Sequence, residues 1–172
     1  MLTAYLPFLK NLFVLSHSSK LLLFTLFFLT TLDINNIKGQ SSVNFIKSKL
    51  IIESNIKKYE FVVDVALSPS QQSRGLMFRH KLDANSGMLF FHQRERVASM
   101  WMHNTYIPLD MLFIDSSGKI VHIFYSAAPH SQAIISYDQP VRAVLELAAG
   151  VVNTHGIRIG DEVKNTLFNN TD

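Results

Sequence analysis

Six residues in three segments carry side chains suited to holding a ligand: Arg74, Trp101, Asn104, Thr105, Asp110 and Glu146. Four of them fall in one stretch, Ser99-Met100-Trp101-Met102-His103-Asn104-Thr105-Tyr106-Ile107-Pro108-Leu109-Asp110, which holds the only tryptophan of the chain. Tryptophan offers a broad apolar ring with one donor, and asparagine reads a polar group with donor and acceptor together. Arg74, with Arg79 close behind it, can clamp an anionic group bidentately. A structural reading stands beside each of these. Trp101 can be core, with Asn104 and Thr105 satisfying backbone groups at a strand end. The arginines can pair with Glu146, Asp110 or Asp64, and Asp110 can accept from loop amides.

Other chemistries leave weaker traces. Ser99, His103 and Asp110 are the nearest hydrolytic set by sequence, without a Gly-x-Ser-x-Gly elbow. Asp110, Glu146 and His103 are the groups an acid–base enzyme would have to bring together. No residue is assigned a catalytic role. Met77, Met88, Met100, Met102 and Met111 with His103 or His122 have the soft donors of a copper(I) site. They show no repeated Met-x-x-Met spacing, and methionine fills irregular core gaps readily. The histidines form no His-x-x-x-His or His-Glu-x-x-His arrangement, and no glycine-rich phosphate loop is present. Neither a metal nor a cofactor is expected. The absence of cysteine excludes disulfides, thiolate metal sites, iron–sulfur clusters and a cysteine nucleophile.

The formal charge of +3 invites a nucleic-acid reading. Three of the 16 basic residues (Lys10, Lys20, Lys38) and one of the 13 acidic ones (Asp33) lie in residues 1–39, leaving 13 basic and 12 acidic. The rest of the chain is close to neutral, with no basic run beyond Lys57-Lys58, so no nucleic-acid partner is expected.

Residues 1–39 read as a targeting segment, with Lys10, His17 and Lys20 ahead of the apolar run 21–32. That run suits a signal h-region and is short of the roughly 20 residues that span a bilayer. A cleaved signal peptide, an uncleaved signal-anchor and a start codon placed too far upstream are the readings left open. Export to the periplasm or another extracytoplasmic space is expected, with membrane contact only through this segment if it stays uncleaved. Residues 40–58 are linker and a first strand near 48–53, 59–164 a globular β domain, and 165–172 a polar, frayed tail.

Within the domain, residues 59–67 alternate as a strand, and Ser68-Pro69 opens a short helix over about 69–76 that Gly75 ends or weakens. Met88 to Phe91 and Val97 to His103 read as strands, with 93–96 a polar connection. Leu109–Asp115 and Lys119–Tyr125 form the clearest hairpin, turning through Ser116-Ser117-Gly118. Residues 126–139 form a longer loop. Val141 to Leu147 is a strand, a helical turn follows within 148–154, and Ile157 to Val163 is the last strand. The pattern is mostly β: a compact antiparallel β-sandwich or barrel-like single domain with one or two short helices.

Several runs carry a family likeness. They are Arg74-Gly75-Leu76-Met77-Phe78-Arg79, Gly87-Met88-Leu89-Phe90-Phe91, Trp101-Met102-His103-Asn104-Thr105, Ile107-Pro108-Leu109-Asp110 and Phe113-Ile114-Asp115. Leu145-Glu146-Leu147, Gly150 and Gly156-Ile157-Arg158-Ile159-Gly160-Asp161 complete the series. In this order and spacing they resemble the bacterial and archaeal family catalogued as domain of unknown function 192, over about residues 60–164. The resemblance implies one small, mostly-β, sandwich-like domain, often behind an export signal. The family's activity is not established, so it assigns no catalytic residue. The chain departs from the family pattern at Met100, where an aromatic is usual, and at His103, where lysine is usual. If that lysine carries function, this member is altered.

The sequence therefore points to an exported β domain that binds a small ligand or an envelope protein. An envelope hydrolase with its site near Asp110, Glu146 and His103 is the alternative, and a structural module of an envelope assembly is a third reading.

Overall fold

Strands arise here wherever apolar residues recur at every second position. The computed structural model describes residues 43–54 and 57–171. Residues 1–39, read as a signal or anchor, lie outside the described residues. The strands are β1 (Ile46–Glu53), β2 (Lys58–Ala66), β3 (Ser86–Arg96), β4 (Ser99–Met100) and β5 (Leu109–Ile114). They continue with β6 (Ile120–Ala127), β7 (Ile135–Ser136), β8 (Val141–Ala148) and β9 (Glu162–Lys164). Helices α1 (Pro69–Arg74) and α2 (Val151–His155) are both short, and a 3-10 turn covers Thr166–Phe168.

Seven strands make one sheet in the order β6-β5-β8-β3-β2-β1-β9, and β4 pairs with β7 in a small second sheet. Neighbours are antiparallel except β2 and β3, which run parallel. A parallel pair needs a crossover, and residues 67–85 with α1 supply it. The large sheet curls until its outer strands meet. Lys119, just before β6, bridges Glu162 of β9. The Val163 N–H donates to the Gly118 carbonyl at 2.7 Å, and the Ile120 N–H to the Asp161 carbonyl at 2.9 Å.

Each face of the sheet has its own core. Leu50, Phe61, Leu89, Leu112, Leu145 and Phe168 fill the inside of the curl, with Val151 and Val152 of α2. Met88, Phe90, Met111, Phe113 and Val144 pack on the other face, covered by Leu76 after α1 and by Ala98, Met102 and Ile135 from the β4 and β7 segments. Strands β3 and β8 approach closely at Gly87, where a Cβ would sit 2.6 Å from the Glu146 carbonyl oxygen.

Four local expectations are corrected. The stretch 97–103 is not one strand. After two residues it turns, with the Thr105 N–H donating to the Met102 carbonyl and Asn104 at φ 52°. The polar run 93–96 continues β3 instead of leaving it, because pairing to β8 is a backbone property and resumes at Arg96 opposite Val141. The last strand is confined to Glu162–Lys164, since the Asp161 carboxylate accepts from the Arg158 N–H and closes a turn before it. The segment 165–171, read as a frayed tail, is anchored. Fully buried Asn165 donates from Nδ2 to the Ser48 hydroxyl and the Lys49 carbonyl, and the Phe168 ring stands edge-on to Phe91 at 5.3 Å.

Candidate functional site

Glu146 sits in β8 between Leu145 and Leu147, in register with Met88 of β3 and Met111 of β5. Both flanking strands hold it on the methionine face of the sheet, where it is 4% exposed. No hydrogen bond or ion pair to its carboxyl is found among the described residues. Burial pushes its pKa up to about 8, because a charged carboxylate is disfavoured where it is largely shielded from water. The group is mostly protonated at neutral pH.

The lid over this position begins at α1. Ser68 caps the helix in a reciprocal capping box with Gln71, and Pro69 opens it. Gly75 ends it at φ 47°, where a Cβ would lie 3.1 Å from the Phe90 ring. That stop leaves Arg74 in the last turn, its guanidinium 4.6 Å from the centroid of the Phe78 ring. Among the described residues no carboxylate lies within ion-pair distance of Arg74. Arg79 differs. It binds Asp64 at 2.6 Å, with Lys47 on the other oxygen at 3.0 Å. Burial raises the Asp64 pKa, but these hydrogen bonds and charges outweigh it and the net shift is downward.

The other side of the lid is the loop between β4 and β5. Met102 is fully buried and anchors it, while Trp101 is 48% exposed and stacks on His103 at 5.0 Å. Thr105 is buried and donates from its hydroxyl to the His103 carbonyl. Three non-glycine residues with positive φ meet around this loop: Phe78 (65°), Asn104 (52°) and His130 (61°). The Phe78 N–H donates to the Asn104 carbonyl, and the His130 N–H to the Thr105 carbonyl. Such conformations cost of order 1–3 kcal/mol each and gather at functional sites.

Between the lid and β8 lies a narrow cavity of about 30 Å³, room for about two water-sized groups. Arg74, Trp101, Thr105 and Glu146 all line it. Four of the six residues singled out from sequence are therefore brought together. Asn104 shapes the loop through its left-handed backbone and does not line the cavity. Asp110 does not line it either. It pairs in register with Leu147, on the opposite face from Glu146, and is fully buried. Its carboxylate accepts from the N–H groups of Ser126, Gly150 and Val152 at 2.9, 2.9 and 3.2 Å, tying β6 and the start of α2 to β5. His103 lies outside the cavity lining, against Trp101 and near Gln132. Asp110, Glu146 and His103 thus do not converge on one reacting centre.

Gly75, Leu76 and Phe90 also line the cavity and carried no chemical signal in the sequence, while Met77 and Met100, weighed there only as soft metal donors, line it too. His92 is a second buried group that sequence reasoning passed over. Among the described residues its Nε2 has no partner, and burial followed by the charges of Arg96 and Arg142 pushes its pKa down to about 4. It faces an open cleft with Leu67, Pro69 and Arg94, apart from Glu146. Among the described residues no cluster of three or more His, Asp or Glu is arranged to hold a metal ion.

A curled mostly-β domain with a small recess between sheet and lid is the class these features define. The family model DUF192, described as "Uncharacterized ACR", matches residues 50–165, and the chain belongs to that family. Two crystal structures share the fold. One is a Sinorhizobium meliloti 1021 protein described as a "putative transcription regulator", with 41% identity and a TM-score of 0.71. The match covers 73% of this chain and 98% of that one. The other is a protein of unknown function from Novosphingobium aromaticivorans DSM 12444, with 29% identity, a TM-score of 0.69 and coverage of 72% and 89%. No curated protein matches the chain.

Proposed function

We propose that this protein is an exported ligand-binding module of the cell envelope. A polar arm of its ligand enters the Glu146 cavity while the body of the ligand lies against Trp101. The observation that carries the reading is Glu146, a buried carboxyl with no hydrogen-bond partner among the described residues, in a cavity that Arg74, without a carboxylate partner among them, also lines. Buried polar groups almost always find a partner, and one left unsatisfied costs about 1–3 kcal/mol. A ligand that completes the hydrogen bonding recovers that cost. Export rests on the basic-then-apolar pattern of residues 1–39. A mature chain beginning near Gln40 in the envelope fraction is the expected result, and a full-length cytoplasmic chain would refute it. A nucleic-acid role, which the description of the Sinorhizobium protein would suggest, is not proposed, because 13 basic residues balance 12 acidic ones beyond residue 39.

The test is thermal unfolding of the full chain against a panel of small polar metabolites. A binder at a hundredfold excess over its Kd stabilises the fold by about 2.7 kcal/mol, and the shift should vanish in Arg74→Gln with folding intact. No shift with any panel member would count against the reading. It would favour a structural envelope module, for which the exposed rings of Phe78, Trp101 and Tyr106 offer a surface.

A further inference from the structure

We infer that the group entering the Glu146 cavity is a carboxylate, held by the Arg74 guanidinium at the rim and by a hydrogen bond donated from the Glu146 carboxyl at the floor. This rests on the binding reading above and names its ligand class. The cavity takes about two water-sized groups. That accommodates the two oxygens of a carboxylate. The charged and acidic groups of the lining are one cation, Arg74, and one acid proton, on Glu146, beside the Ser73 hydroxyl and the Trp101 indole N–H. Gln72 is already committed, its amide donating to the Ala66 and Phe91 carbonyls. The Thr105 hydroxyl proton goes to the His103 carbonyl. A planar group that accepts two hydrogen bonds and carries negative charge answers the Arg74 cation and the Glu146 acid proton together. An ammonium would face Arg74 across the cavity. Trp101, half exposed beside the opening, would hold an apolar body attached to the carboxylate.

Protonation follows from the same arrangement. Among the described residues Arg74 is the only other charged residue lining the cavity, and Met88, Met111 and Phe90 face Glu146 from the neighbouring strand positions and the cavity wall. Glu146 donates while it keeps its proton. Once it ionises, two carboxylates oppose each other. Binding should be insensitive to pH below about 7 and weaken about tenfold per unit above about 8.

Trp101 is the only tryptophan, so its fluorescence reports the site directly. Three probes with one body and three heads are titrated into the full chain: phenylacetate, phenylacetamide and phenethylamine. Phenylacetate is expected to give a saturable change at pH 6.5, the amide to bind at least tenfold more weakly, and the amine not at all. Arg74→Gln should lose tenfold or more for phenylacetate. Glu146→Gln, which keeps a neutral donor, should bind it and lose the pH dependence above 8. A short peptide with a free C-terminus, run beside its C-terminal amide, separates the two sources of a carboxylate. Competition by the free peptide alone assigns the site to chain ends, and competition by neither assigns it to small acids. A saturable response to the amide or amine that equals or exceeds that to phenylacetate overturns this inference and leaves the binding reading standing. Silence from all three heads overturns both.

Discussion

Asp110 and Glu146 are both buried carboxyls on neighbouring strands, yet the sheet between them gives them opposite fates. Asp110 faces the inside of the curl and accepts three backbone N–H groups, so its charge is useful to the fold and its oxygens are occupied. Glu146 faces the lidded side, accepts none, and is driven to keep its proton. Two residues of almost the same chemistry are thus a structural clamp and an open binding group. Burial alone does not separate these roles, but the count of partners does.

The comparison can be broken or sharpened in three ways. The largest effect should come from Asp110→Ala. Three hydrogen bonds to a carboxylate acceptor, at about 1.5–3 kcal/mol each, put the loss at about 5–9 kcal/mol, read as a fall in the urea midpoint. A change under about 1 kcal/mol would make Asp110 a spare group and dissolve the contrast.

The next concerns Glu146 and pH. A carboxyl whose pKa is raised in the folded state keeps its proton there after the unfolded chain has lost it. Its contribution is fully present below the unfolded value of 4.5 and is lost as pH rises through about 8. Between pH 5 and pH 9 wild type should lose about 4 kcal/mol from this group at about 1.36 kcal/mol per unit. Glu146→Gln should lack that component in denaturation curves taken at both pH values. Parallel pH profiles for the two proteins would show that Glu146 ionises normally.

The smallest effect should come from Trp101→Ala. A core tryptophan costs about 3–5 kcal/mol on truncation, whereas this half-exposed ring should cost about 1 kcal/mol by calorimetry while ligand binding falls. A core-sized loss would move Trp101 from the site to the packing.

Much of this arrangement was legible in the sequence. The hairpin through Ser116-Ser117-Gly118 and the helix opened by Ser68-Pro69 follow from local turn and cap chemistry, and both are found as read. The joining of Arg74, Trp101, Thr105 and Glu146 was legible only as a set of candidates. The signal that marks Glu146 is a lone carboxylate in a strand that is apolar at Val144, Leu145 and Leu147, hence covered on both faces. The side of the sheet that Asp110 faces could not be read, because it depends on the register of β5 against β8. The parallel pairing of β2 with β3 and the anchoring of Asn165 at Ser48 and Lys49 were hidden for a similar reason. Both join segments that are distant in the chain, and no local pattern encodes them.

The meeting of β9 with β1 on one side and with the start of β6 on the other has a consequence for the order of synthesis. A growing chain can pair β5 with β6 and β1 with β2 early, but the seam stays open until residue 164 has been made. Long-range closure of this kind is slow, and until it happens two strand edges remain unpaired. The nascent chain therefore keeps both edges of its sheet open until its last strand emerges.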